Sequence, residues 1–66
     1  MPNYRADLYA AGEVYDHTER YVARHHTEAV DTARGLAVAE GLDHAQVFVT
    51  DGAGGATHIA RVRAER

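Results

Sequence analysis

The segment over 27–41, running on into 45–50, constrains this chain more than any other, because its start, its buried face and its stop are all legible in residue types. Thr27 is a good N-cap: its hydroxyl can accept from the free amides of a first helical turn. Glu28 and Asp31 then put negative charge at the positive end of the helix dipole. Ala29, Val30, Ala33, Leu36 and Ala37 fall on one stripe at about 100° per residue, the spacing of a helix buried on one side. Most of that stripe is alanine, so the helix must lie close to whatever it covers. Gly41 supplies the left-handed residue that ends a helix, with Leu42 placed for the apolar contact that accompanies such a cap.

The flanking segments read as strands. Residues 4–10 alternate, with Tyr4, Ala6, Leu8 and Ala10 on one side and Arg5, Asp7 and Tyr9 on the other, which is the period of a half-buried strand. Ala11-Gly12 reads as a tight turn, and residues 13–15 resume an extended run. The polar stretch 16–19 reads as a kink, bulge or second turn before 20–24, where Tyr21 and Ala23 oppose Arg20, Val22 and Arg24. Pattern does not decide whether 13–24 is one long bent strand or two short ones. Beyond the helix, 45–50 is the most apolar run of the chain and is expected as a central strand. Residues 51–55 form a glycine-rich hairpin loop and 57–63 the last strand. The expected fold is α+β: a single β-β-α-β-β domain over 1–66, with one helix (about 27–41) packed on one face of a mostly antiparallel three- to four-stranded sheet. Strand order within the sheet is left open.

A chain of 66 residues buries only about 60% of the surface its unfolded form exposes, so its stability should be modest unless it oligomerises. It has no cysteine, which removes disulfides and thiolate metal sites as sources of stability. No apolar run approaches the roughly 18 residues of a membrane span, and the first residues lack the regions of a signal peptide. A cytoplasmic protein with no membrane partner is expected. All seven basic residues are arginine, a bias that suggests a high-GC genome, bacterial, archaeal or phage. The net charge of −3 argues mildly against a general nucleic-acid binder without excluding a local basic patch.

Five histidines, His17, His25, His26, His44 and His58, raise the question of a metal. A transition-metal site needs ligands converging within about 2.1 Å of the ion, commonly at i, i+4 on a helix or i, i+2 on a strand, and no histidine pair has either spacing. Solvated or capping histidines are the default, and no metal or cofactor is expected. The chain has neither cysteine nor serine, so nucleophilic triads have nothing to work with, and a pair such as His17 with Asp16 or Glu19 is ordinary on a surface. The reading is non-enzymatic. The loop 51–55 leads into a strand rather than a helix N-terminus, which favours a hairpin over a phosphate loop.

Charge is distributed more informatively. Arg5, Arg20, Arg24, Arg61 and Arg63 all fall on expected strands, while Glu28, Asp31, Glu40 and Asp43 lie on or beside the helix. If the helix covers one sheet face, the other gathers arginines around Tyr9, the residue types that RNA-binding sheets and protein interfaces both use. Arginine stems covering a solvated face are the plain alternative. Gly35, Val38, Ala39 and Leu42 form a second, small or apolar helix stripe that no intrachain element is left to cover, which suggests a homodimer contact. The function expected from sequence is thus a protein-binding, regulatory accessory domain that self-associates as a dimer and has an unidentified protein partner. The alternative is a nucleic-acid binder using Arg5, Tyr9, Arg20, Arg24, Arg61 and Arg63.

The run Thr27-Glu28-Ala29-Val30-Asp31-Thr32-Ala33-Arg34, then Ala37, then Val47-Phe48-Val49 and Asp51-Gly52, resembles domain-of-unknown-function family 2188, a family of small prokaryotic domains. The match covers the C-terminal half; the first alanine comes one residue earlier than in that family's helix start, and the early strands lack its tryptophan. The resemblance implies the fold and no activity. The strands followed by a Thr-Glu-Ala helix start are also similar in architecture to the N-terminal part of HicB-type antitoxins.

Overall fold

Alternation over the first residues becomes β1 (Asn3–Ala10) in the computed structural model, which describes residues 1–65. It is followed by β2 (Val14–Val22), α1 (His26–Ala39), β3 (His44–Thr50) and β4 (Ala56–Arg63). The four strands form one antiparallel sheet in the order β2-β1-β3-β4. The two hairpins pair as nearest neighbours, and β1 and β3 meet at the centre. The β-β-α-β-β, α+β architecture read from the sequence is the one observed, and the strand order that pattern left open is now fixed.

Residues 13–24 do not divide into two strands. β2 is one strand with a bulge: Leu8 pairs with His17 and Tyr9 with Tyr15, so Asp16 is the extra residue. Glu13, read from sequence as the start of this strand, instead sits in the turn with φ 62°. A second bulge leaves Ile59 unpaired in β4, because Val47 pairs with Ala60 and Phe48 with His58. In β4 the extra residue keeps Ala60 and Val62 on the helix side, and in β2 it turns His17 and Glu19 to that side while Tyr15 stays on the other.

The helix starts earlier than the Thr27 cap predicts. His25 is the N-cap, extended at φ −158°, and its Nδ1 accepts from the Glu28 amide at 3.2 Å. Glu28 turns back to accept from the Arg24 amide and from Arg24 Nε, which further fixes the entry of the chain. At the other end the reading holds. Glu40 is the C-cap, Gly41 has φ 69°, and the Leu42 and Gly41 amides donate to the Ala37 and Val38 carbonyls at 2.9 and 3.2 Å. This is the double closure that satisfies the last free carbonyls of a helix.

Ala29, Ala33 and Ala37 are fully buried, and they let α1 lie close over Tyr4, Ala6, Leu8, Ala45, Val47 and Val62. Val30, Leu36 and Leu42 pack at the rim of this core. The helix lies mainly over β3 and β4, less over β1, and covers the edge strand β2 least. Tyr21 reaches in from β2, stacks on Tyr4 with ring centroids 6.0 Å apart, and donates to the Ala29 carbonyl at 2.7 Å. Burial, with Tyr4 nearby, pushes its hydroxyl pKa up to about 12. Among the described residues, no helix is long and apolar enough to cross a membrane.

Candidate functional site

Residues directly opposite one another in a sheet share a face, so the observed registers assign the uncovered side row by row. One row reads Arg20, Arg5, Phe48, His58; the next Thr18, Asp7, Gln46, Arg61; the third Tyr15, Tyr9, His44, Arg63; and Val22, Asn3, Thr50 and Ala56 close the end. This face is the candidate site. Its composition, with arginine and aromatic rings at the centre, is that of a recognition surface rather than of a core.

The first row has an unusual charge pattern. Arg5 and Arg20 stand directly opposite each other on β1 and β2, where like charges repel. Arg5 lies over the Phe48 ring, its guanidinium carbon 4.3 Å from the centroid, with its Nε 3.2 Å from Asp7 Oδ1. His58 packs edge-on against Phe48 at 5.2 Å and donates from Nε2 to the Gln46 side-chain oxygen at 2.6 Å, which fixes its tautomer. Asp7 is further occupied by Thr18, whose hydroxyl donates to it at 2.8 Å and in turn accepts from Tyr15 at 2.7 Å. Among the described residues, neither Arg20 nor Arg63 has an acidic partner. A groove of about 290 Å³ runs beside Arg5 and Arg20 to Thr50 and the glycines of the β3–β4 loop.

Glu13 closes the opposite end of the face. Its left-handed backbone aims the side chain across the sheet to Arg61 Nη2 at 2.6 Å and toward His44 Nε2 at 3.3 Å. The Arg61 hydrogen bond holds the Glu13 carboxyl below its ordinary pKa. His44, expected from sequence to be solvated or capping, is fully buried: Tyr9 stacks on it at 4.9 Å with rings 2° from parallel, and its Nδ1 lies 2.8 Å from Asp43 Oδ2. Its position at the start of a central strand, beneath a tyrosine from the next strand, explains the burial that residue type did not suggest.

Of the residues predicted to bind nucleic acid, Arg5, Tyr9, Arg20, Arg61 and Arg63 are brought onto this one face. Arg24 is not: it lies past the end of β2, where its guanidinium pairs with Glu28 at 2.9 Å. Of the residues predicted as a helix interface, Gly35 and Ala39 are exposed, Val38 is half-buried, and Leu42 folds against the core. The large apolar side chains that are exposed, Met1, Val14, Tyr15 and Val22, lie instead at the N-terminus and along β2. The glycine loop is a hairpin, and its amides at Ala53 and Gly55 donate to Asp51 Oδ1 at 2.8 and 3.0 Å. Those two bonds lower the Asp51 pKa and leave these amides engaged within the loop.

A second cluster lies on the helix side, and residue-by-residue reading missed it. His17 and Glu19 project beside Leu8 and Ala6, and Glu40 reaches them from the end of α1. His17 is held above its ordinary pKa, first by its hydrogen bond to Asp16 and then by Glu19. Glu19 and Glu40 hydrogen-bond to each other, which lowers the pKa of the first and raises that of the second. The i, i+2 spacing of His17 and Glu19 was visible in the sequence, but counting histidine pairs alone passes over it. No protein-family model, curated protein or solved structure matches this chain, so function is argued from its geometry.

Proposed function

We propose that this chain is a non-enzymatic binding module whose open sheet face engages single-stranded nucleic acid. The observation that carries the reading is the row Arg20, Arg5, Phe48, His58: two opposed arginines, then two aromatic rings, with Asp7 the acid nearest to it. A phosphate between the two guanidiniums relieves their repulsion, and a base stacks on an aromatic or guanidinium plane without regard to its identity. The net charge of −3 does not by itself oppose this, because Asp16, Glu19, Glu28, Asp31 and Glu40 lie on the helix side, and the acids that reach the face, Asp7, Glu13 and Asp43, are each engaged by Arg5, Arg61 or His44. The test is fluorescence anisotropy of a short labelled single strand at low salt. Saturable binding that Arg5→Ala with Arg20→Ala abolishes supports the reading; no binding at low salt refutes it.

One observation favours a second reading, self-association. Val14, Tyr15 and Val22 are exposed along β2, an edge strand with unpaired backbone groups. A second copy pairing there gives the dimer expected from sequence, through a different surface from the helix stripe. Light scattering across a concentration series tests it: a mass that stays at one chain at high concentration removes the dimer.

A further inference from the structure

Within the second cluster the donor atoms of His17, Glu19 and Glu40 lie within 4.8 Å of one another. His17 Nε2 is 3.1 Å from Glu19 Oε2 and 3.0 Å from Glu40 Oε1. An ion with bonds of about 2.1 Å separates neighbouring donors by about 3.0 Å in octahedral and about 3.4 Å in tetrahedral geometry. The observed spacings match the first and need only small side-chain adjustments for the second.

Two features of the fold build this arrangement. The strand period sends both His17 and Glu19 to the helix side, and the cap at Glu40 ends α1 against them. The extra residue of the β2 bulge, Asp16, places its carboxylate 2.5 Å from His17 Nδ1. Nε2 is the ring atom turned to the Glu19 and Glu40 carboxylates, where an ion would replace its proton, and Nδ1 has an acid behind it as most ligating imidazoles do.

We propose that His17 Nε2, Glu19 and Glu40 bind a divalent first-row cation, with water completing its coordination, and that the ion ties β2 to the end of α1. One imidazole with two carboxylates and no sulfur suits Zn²⁺ or Mn²⁺ rather than copper(I), and the nitrogen donor disfavours Ca²⁺ and Mg²⁺. The structural consequence is specific: the ion would fasten to α1 the strand that α1 covers least. This site is on the side of the sheet opposite the proposed nucleic-acid face, so the two proposals stand or fall separately.

Calorimetry with ZnCl₂ on the full chain tests it. A single site is expected, lost in His17→Ala and in Glu40→Gln and weakened about 10-fold in Asp16→Asn, which keeps the ligands and removes the charge behind the ring. A His25→Ala, His26→Ala double variant should bind as the unaltered chain does. Because His17→Ala could fail to fold, the unaltered protein is also titrated with zinc while its histidine nitrogens are followed by NMR: His17 Nε2 must shift first. Absence of zinc binding by the unaltered chain, equal binding by His17→Ala, or a first shift at another histidine overturns the proposal.

Discussion

Replacing Arg20 with alanine separates binding from stability, because the same side chain should oppose one and support the other. Arg20 stands opposite Arg5, and among the described residues no acid pairs with it. Removing a directly opposed like charge is worth about 0.2–1 kcal/mol, so the variant should unfold at equal or slightly higher urea concentration. Nucleic-acid affinity should fall. Each phosphate contact on a single strand contributes about −0.7 to the slope of log K against log salt. If Arg5, Arg20, Arg61 and Arg63 all make one contact, the slope is about −2.8, and raising salt from about 50 to about 200 mM weakens binding roughly 50-fold. Without Arg20 the slope is about −2.1 and the loss roughly 18-fold. Anisotropy titrations at several salt concentrations, with urea melts of the same samples, read both quantities. An unchanged slope refutes the placement of phosphate at Arg20. A variant less stable than the parent refutes the repulsion argument.

Three further expectations follow from particular side chains. Leu8 is fully buried at the centre of the sheet, so Leu8→Ala should cost about 2–5 kcal/mol, a large part of the roughly 3–10 kcal/mol available to a domain this size, and lower Tm by tens of degrees on calorimetry. Glu13→Gly should be more stable than Glu13→Gln: both lose the Arg61 pairing, but only glycine is at ease at φ 62°, and the reverse order of melting temperatures contradicts this. The Glu28 pKa is lowered, first by the Arg24 amide and then by its guanidinium. Its contribution is therefore present above the unfolded carboxyl pKa and lost as pH falls through the folded one, so Glu28→Gln should flatten the acid limb of the stability profile and leave neutral pH stabilities closer to parent than a core variant does.

What was legible in the sequence depended on how local its cause is. The helix stop was readable because Gly41 and Leu42 carry their conformations within one turn, and the buried stripe because Ala29, Ala33 and Ala37 sit at fixed spacing. The helix start was misplaced because residue preference favours threonine as a cap, whereas the ring nitrogen of His25, two residues earlier, accepts from the Glu28 amide instead. Bulges at Asp16 and Ile59 were only partly readable, since an extra residue is defined by its partner strand. Burial of His44 was not readable at all: it depends on Tyr9 from β1 and Glu13 from the turn, which meet it through pairing of distant segments. Four of the five arginines read as strand positions, Arg5, Arg20, Arg61 and Arg63, do share the face and Arg24 does not, whereas the opposition of Arg5 and Arg20 needed the register. Likewise Glu40 joins His17 and Glu19 only through the way α1 ends over β2.

The central claim, that the open sheet face is the working surface, is tested most directly by amide and arginine side-chain NMR shifts during titration with an unlabelled single-stranded oligonucleotide. The account predicts saturable shifts centred on Arg5, Arg20, Phe48 and His58, extending to Arg61 and Arg63, with Ala29, Ala33 and Ala37 on the helix side unmoved. Shifts confined to α1, or a spectrum that does not change at low salt, contradict it.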